Sequence, residues 1–212
     1  MRALILVDLQ NDFMPGGALA VPDGDAVVPV ANSLAASSAY THVIATQDWH
    51  PRDHGSFAAN HAGRSPGELI ELHGLTQVLW PVHCVQETRG AAFVDALEAS
   101  RVTKVFVKGT DPTVDSYSGF FDNGQRRATG LAAYLKDQGV EEVDVLGLAT
   151  DYCVKFTALD AARMGFATRL VVDGCRGVNL SEGDSERAVE EMRAAGVKIV
   201  ASGELLAASA RD

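Results

Sequence analysis

Short apolar runs, each closed by a polar residue, recur along the chain and constrain its fold more than any other feature. The runs occupy residues 3–8, 42–48, 104–109, 143–151, 167–174 and 197–203. Runs of Val, Ile and Leu without polar alternation are typical of strands that are buried on both faces, as in a parallel sheet. The sequence therefore predicts six strands in a mainly parallel sheet.

Helical patterns separate most of these runs. They cover residues 24–39, 126–138, 152–164 and 184–195. The last three end at Gly139, Gly165 and Gly196, and glycine is a common helix stop. Alternation of strands and helices favours right-handed βαβ units. We therefore expect an α/β fold, a three-layer α/β/α sandwich that forms a single domain over residues 1–212.

Residues 49–103 break this alternation. The segment contains several His, Gly and Pro residues and only a weak helical pattern near residues 90–100. A long irregular insertion in a compact domain is usually functional. We interpret it as a loop insertion that carries metal ligands.

Composition and charge exclude several classes of protein. A formal net charge of −10 without a basic cluster disfavours nucleic acid and anionic membranes as partners. The apolar run at the N-terminus is too short for a signal-peptide core, and no run is long enough to span a bilayer, which predicts a soluble, cytoplasmic protein. Three widely spaced cysteines without a CxxC pair do not indicate a disulfide framework or a structural zinc site.

Four reactive side chains follow the predicted strands: Asp8, Asp48, Lys108 and Cys153. Ligands of open parallel sheets bind beyond the carboxyl ends of the strands, so these side chains are expected to converge on one cleft. Cys153 would lie at a helix start, where the helix dipole favours a thiolate. Asp8 would accept the thiol proton and Lys108 would add a positive charge, which predicts a cysteine nucleophile. The alternative is a buried, inert cysteine beside acids that cap loops; Cys84 and Cys175 are interpreted in that way.

A second group of residues has the composition of a metal site. Asp48 and His50 lie two residues apart in DWHPRDHGSF (48–57), and His83 of WPVHC (80–84) can supply a third ligand. Carboxylate and imidazole ligands suit Zn, with Fe or Mn as alternatives, and three protein ligands leave positions open for water or substrate. His54 is a candidate for a further ligand or for a partner of one. The alternative is that these are ordinary loop histidines, which is our interpretation of His42, His61 and His73.

Six segments together resemble a known family. They are VDLQNDF (7–13), QDWHPRDHGSF (47–57), WPVHC (80–84), KGTDPTVDSYSGFFDN (108–123), GLATDYCVKFTALDA (147–161) and DGCRGVN (173–179). These segments are similar to those of the nicotinamidases among the isochorismatase-like cysteine hydrolases, and the resemblance spans nearly the whole chain.

The resemblance implies a set of site residues. It implies an Asp, Lys, Cys triad at Asp8, Lys108 and Cys153, metal ligands at Asp48, His50 and His83, and an aromatic wall at Phe13, Trp80 and Tyr117. It also implies a cis peptide between Leu148 and Ala149, and an oxyanion hole formed by the amides of Ala149 and Cys153.

The implied activity is hydrolysis of nicotinamide to nicotinate and ammonia through a cysteine thioester, with one divalent metal ion orienting the pyridine ring. Pyrazinamide is expected to be deamidated as well, and both a monomer and a homodimer remain open. One alternative is a related carbamoyl amidase or vinyl-ether hydrolase on the same scaffold, although those reactions do not need the metal ligands. Another is a non-catalytic metal-binding or redox module, which would not account for Lys108.

Overall fold

The predicted apolar runs form one sheet in the computed structural model, which describes residues 1–209. In chain order the strands are β1 (Arg2–Val7), β2 (His42–Asp48), β3 (Leu69–Leu72), β4 (Leu75–Val78), β5 (Lys104–Lys108), β6 (Glu142–Leu148), β7 (Ala167–Arg176) and β8 (Lys198–Val200). Within the described range six of them make a sheet in the order β5-β2-β1-β6-β7-β8, and every neighbouring pair is parallel. The predicted α/β sandwich is confirmed.

Helices cover both faces of this sheet. They are α1 (Val27–Ala35), α2 (Leu131–Asp137), α3 (Lys155–Arg163), α4 (Asp184–Ala194) and α5 (Ser202–Ser209). Helices α1 and α5 pack together on one face of the sheet, and α3 and α4 pack together on the other. Over residues 1–209 none of the helices has the length and hydropathy needed to cross a bilayer.

Two predicted helices are shorter than their sequence patterns. In the first, a 3₁₀ turn at Gly24–Ala26 precedes α1, which ends at Ala35 rather than at residue 39. The second begins only at Leu131 instead of residue 126. Its missing first turn has a local cause, because the Asp122 carboxylate accepts the N–H groups of Arg126 and Arg127 and holds them in a turn.

The weak helix predicted near residues 90–100 is wrong. That segment forms only a 3₁₀ turn at Ala99–Arg101. Several of its carbonyl groups are already occupied. The Asn11 side chain donates to those of Ala92 and Phe93, and the backbone N–H of Asp12 donates to that of Gly90. A helix would need these carbonyls for its own hydrogen bonds.

Two elements were not predicted. Strands β3 and β4 form an antiparallel hairpin inside the insertion, closed by His73 and Gly74, both with positive φ. The second is helix α5. The last apolar run was predicted as a strand over residues 197–203, but the strand ends at Val200 and α5 begins at Ser202.

The junction between β6 and α3 determines where the site lies. The strand ends at Leu148 rather than at residue 151, and Thr150–Val154 form a π-helical turn that leads into α3 at Lys155. The Leu148–Ala149 peptide is cis, as the family resemblance implies. Cys153 therefore lies in the turn that joins the strand to the helix.

A buried polar network holds β6 and β7 to the chain after α1. Asp144 on β6 is fully buried. One carboxylate oxygen accepts a 2.6 Å hydrogen bond from the Tyr40 hydroxyl, and the carboxylate also accepts two hydrogen bonds from the Arg169 guanidinium. A buried carboxylate requires this degree of pairing, so each of these bonds is expected to stabilise the fold.

We expect Tyr40→Phe to lower the free energy of unfolding by about 1.5 to 3 kcal/mol, because it removes a buried hydrogen bond to a charged group. The matched control is Tyr134→Phe, whose hydroxyl makes only a 3.4 Å contact with His42 Nδ1. Urea unfolding measures both values. An equal loss for the two variants would contradict the role given to Asp144.

Candidate active site

The four side chains predicted at strand ends converge around the Lys108 ammonium. Lys108 Nζ lies 2.8 Å from Asp8 Oδ2, 2.6 Å from Asp48 Oδ1 and 3.3 Å from Cys153 Sγ. It also donates to the carbonyl oxygen of Ser116 at 3.0 Å. The three N–H bonds of the ammonium match three acceptors, Asp48, Ser116 and Cys153. Asp8 Oδ2 adds an ion pair without a hydrogen bond.

The charges of this group stabilise one another without solvent. Burial raises the pKa of Asp8, and the Lys108 ammonium opposes that rise. Burial would also raise the pKa of Asp48, but Lys108 and His50 outweigh it and hold that pKa well below its usual range. Burial would lower the pKa of Lys108, yet the two carboxylates raise it well above the usual value. Lys108 therefore stays charged.

The Cys153 thiol differs from the sequence-based expectation. The helix start and Lys108 predict a lowered pKa, whereas burial raises the pKa of this thiol well above its usual value and Lys108 only partly opposes the rise. The negative charges of Asp8 and Asp48 raise the pKa of the thiol further. In this arrangement desolvation outweighs the helix dipole, so the thiol keeps its proton beside a ready acceptor.

Two residues that the sequence analysis missed orient the acids. Thr46 Oγ1 donates a 2.6 Å hydrogen bond to Asp8 Oδ1. The Gln10 side chain bonds both backbone groups of Asp48, donating to its carbonyl and accepting from its N–H at 2.8 Å each. Thr46 lies two residues before Asp48 in β2, so the period of a strand could have placed it on the same face. No sequence signal identifies Gln10.

Asp48, His50 and His83 form the predicted metal-ligand group. Their ligand atoms lie within 4.8 Å of one another, and Asp48 Oδ2 is 3.5 Å from His50 Nε2 and 3.8 Å from His83 Nε2. Each imidazole Nδ1 is 2.8 Å from a backbone carbonyl, that of Gly109 for His50 and that of Pro81 for His83. Because a carbonyl only accepts, each Nδ1 carries a proton, and both Nε2 atoms face the carboxylate. One oxygen and two imidazole nitrogens fit a divalent transition metal.

Gly109 makes this arrangement possible. A Cβ at that position would lie 2.4 Å from His50 Cε1, and the glycine φ is +66°. A side chain there would displace the His50 ring and its hydrogen bond to the Gly109 carbonyl. Two constraints therefore require glycine at position 109: the close approach of the His50 ring and the left-handed backbone conformation.

His54 lies beside the ligand group. Its ring centroid is 4.3 Å from that of His50. The group of possible metal ligands that includes His54 consists of His50, His54 and Asp115. Its Nδ1 is 2.7 Å from Ser56 Oγ. Burial lowers the pKa of His54 to about 4, so the ring is neutral. Whether His54 is a ligand stays a prediction.

A small cavity of about 30 Å³ lies beside Cys153. Its lining residues are Phe13, Leu19, Asp48, Trp80, His83, Asp115, Tyr117, Ala149, Tyr152, Cys153 and Val178. All three aromatic residues expected to form a wall line the cavity, and Tyr152 adds a fourth, packed edge-on against Trp80 at 4.8 Å. A wall of aromatic rings suits a flat, compact molecule with one ring.

The insertion and the cis-linked turn complete the walls. Residues 49–103 contribute Trp80 and the histidines predicted to bind a metal. In the turn, the Ala149 carbonyl accepts the N–H groups of Tyr152 and Val154 at 3.1 Å each. These bonds close the turn beneath Cys153 and bring the predicted oxyanion residues, Ala149 and Cys153, to the same cavity.

Comparisons with known proteins agree with this geometry. Residues 2–204 match the model of the isochorismatase domain. The chain is 54% identical over 200 residues to a nicotinamidase of Escherichia coli, with 93% of each chain covered. It is similar to the solved nicotinamidase/pyrazinamidase of Acinetobacter baumanii, with TM-score 0.93, 46% identity, and 97% and 98% of the two chains covered. It is also similar to the pyrazinamidase of Pyrococcus horikoshii in complex with zinc, with TM-score 0.76, 41% identity, and 94% and 98% covered.

We expect Lys108→Met to lower the free energy of unfolding by about 3 to 5 kcal/mol, because it leaves two buried carboxylates without their common cation. The matched control is Lys155→Met, which removes a partly exposed pair with Glu191 and is expected to cost about 1 kcal/mol or less. Urea unfolding at neutral pH measures both. Equal losses would show that Lys108 does not hold the two acids together.

Proposed function

The chain belongs to the isochorismatase family, and on that premise we propose that it is a nicotinamidase that hydrolyses nicotinamide to nicotinate and ammonia. The observation that carries the proposal is the meeting of Asp8, Lys108 and Cys153 at one small aromatic cavity. The names of similar proteins point to the same substrate. Ammonia release from nicotinamide by the purified protein tests it directly.

The first half of the reaction uses Cys153 and Asp8. The Cys153 sulfur attacks the carboxamide carbon while Asp8 takes the thiol proton, because an Asp8 carboxylate oxygen lies within 4.8 Å of Cys153 Sγ. The carbon–sulfur bond forms and the carbonyl oxygen becomes an oxyanion, for which we propose the amides of Ala149 and Cys153 as donors. Asp8 then passes the proton to the leaving nitrogen, and ammonia departs from a thioester.

The second half returns the enzyme to its starting state. Asp8 takes a proton from water as the water attacks the thioester carbon. Collapse of the resulting intermediate breaks the carbon–sulfur bond and releases nicotinate, and the sulfur regains the proton. Throughout, Lys108 keeps Asp8 and Cys153 together through its contacts of 2.8 and 3.3 Å.

Asp48, His50 and His83 are the residues that we propose hold one divalent metal ion. Bound there, the ion would supply a Lewis-acid position for the pyridine nitrogen and so orient the ring. The zinc complex of the Pyrococcus horikoshii pyrazinamidase supports zinc. The surrounding aromatic walls, Phe13, Trp80 and Tyr117, exclude water from the ring and restrict its position.

We also propose that the protein deamidates pyrazinamide. The pyrazine ring has nearly the size of pyridine, and one of its two nitrogens has the same position relative to the carboxamide as the pyridine nitrogen, so the same cavity and nucleophile serve both amides. The names of the two similar solved structures support this extension.

We expect Cys153→Ala to lower nicotinamide hydrolysis by about 10⁴-fold or more, because no other group forms the thioester. Cys84→Ala and Cys175→Ala should keep most of the activity. Cys175 is a suitable matched control, since it is also buried and donates only to the Val171 carbonyl. Full turnover by the Cys153 variant would end the covalent mechanism.

We expect His50→Ala and His83→Ala each to remove about one equivalent of bound metal, as a three-ligand site requires. His42→Ala at the start of β2 is the control and should keep its metal. Elemental analysis after dialysis measures the content. Chelation should reduce turnover of nicotinamide more than it reduces alkylation of Cys153 by a small reagent, because the ion serves orientation. Survival of both metal and hydrolysis in the variants would refute the ligand assignment.

A further inference from the structure

A second acid lies in the turn that carries the nucleophile. Asp151 is two residues before Cys153 and only 5% exposed. Its two carboxylate oxygens accept hydrogen bonds from consecutive backbone N–H groups of another segment, Oδ1 from Val178 at 2.9 Å and Oδ2 from Asn179 at 2.7 Å. The mechanism above does not use this residue, yet a buried charge at this place requires a reason.

The receiving segment is shaped to accept a carboxylate. Two successive backbone N–H groups, those of Val178 and Asn179, point toward one carboxylate, and Asn179 itself has a left-handed φ of +52°. Hydrogen bonds to an ionised acceptor are roughly twice as strong as neutral ones. An amide side chain offers only one acceptor oxygen and would turn an NH₂ group toward the other N–H. The site therefore selects aspartate over asparagine.

The same segment reaches the cavity and a helix. Val178 lines the cavity together with Cys153. Gly177 packs so closely that a Cβ would lie 1.9 Å from Ser185 Oγ and 3.2 Å from Asp151 Oδ1. The Asn179 side chain accepts the N–H of Ser185 at the start of α4 at 2.9 Å. The Asp151 carboxylate thereby connects the Thr150–Val154 turn to the cavity wall and to α4.

We propose that Asp151 is a positioning residue that holds the Thr150–Val154 turn against residues 177–179. It acts through its neighbours, fixing the place of Cys153 Sγ relative to Asp8 and Lys108 and the place of the Val178 wall. Because this role serves the hydrolysis proposed above, it rests on that function. Loss of the carboxylate should lower kcat because the Cys153 thiol is misplaced. It should raise KM because Val178 no longer holds its position in the cavity wall.

The test compares Asp151→Ala and Asp151→Asn with Asp173→Ala. Asp173 is a matched control, because its carboxylate also accepts two hydrogen bonds, from the N–H and the hydroxyl of Ser202, but these hold α5. Three quantities are measured on folded protein: kcat and KM for nicotinamide, the rate of Cys153 alkylation by iodoacetamide without substrate, and the unfolding midpoint.

We expect Asp151→Ala to lower kcat/KM by about 100-fold, as a small misplacement of reacting groups does. Asp151→Asn should fall between it and the wild type. Alkylation of Cys153 should slow in the same order, while Asp173→Ala should match the wild type in kcat/KM and alkylation per folded molecule.

Wild-type kcat, KM and alkylation rate in folded Asp151→Ala would overturn the proposal. If that variant does not fold, Asp151→Asn decides, and wild-type values in it would overturn the proposal equally. Absence of ammonia release by the wild type would refute the nicotinamidase function instead. The alkylation rates need no substrate, so they would still report whether Asp151 positions the thiol.

Discussion

The site depends on one ammonium that is shared by two buried carboxylates. Lys108 ends β5, Asp48 ends the adjacent β2, and the two are register partners in the sheet. Asp8 follows β1 on the other side of β2, so the strand order β5-β2-β1 alone brings the three charges together. None of the three is stable there without the others, because each would be an unpaired charge away from water. The proposed nucleophile and the proposed metal ligands are therefore parts of one electrostatic unit.

The sequence predicted the positions of these groups but not their surroundings. Asp8, Asp48 and Lys108 each close an apolar run, and a parallel sheet places such residues at one edge. The contacts of Thr46 and Gln10 join segments 38 residues apart, and no local pattern reports them. The thiol pKa was predicted in the wrong direction, because a helix start is visible in sequence whereas full burial of the sulfur is a result of packing.

The errors in secondary structure have the same origin. Residues 90–100 have a weak helical pattern, but the Asn11 side chain binds the carbonyls of Ala92 and Phe93 from a distant part of the chain. The β3–β4 hairpin turns at His73 and Gly74, both left-handed, and His-Gly is a weaker turn signal than Asn-Gly. In both cases tertiary contacts decide a conformation that local propensity leaves undetermined. The long runs of the central sheet were predictable because a continuous run of Val, Ile and Leu indicates a buried strand.

The proposed metal position has a consequence for the cell. The cavity beside Cys153 is small, and Trp80 in its wall donates its ring N–H to the Tyr117 hydroxyl. Dinucleotide cofactors carry the same carboxamide, but their ring nitrogen is bonded to a sugar and has no lone pair left for the proposed metal ion. Under the proposed function, we expect the protein to act on the free amide that the breakdown of such cofactors leaves behind and to spare the cofactors themselves. Selectivity between waste and coenzyme would then come from one nitrogen lone pair.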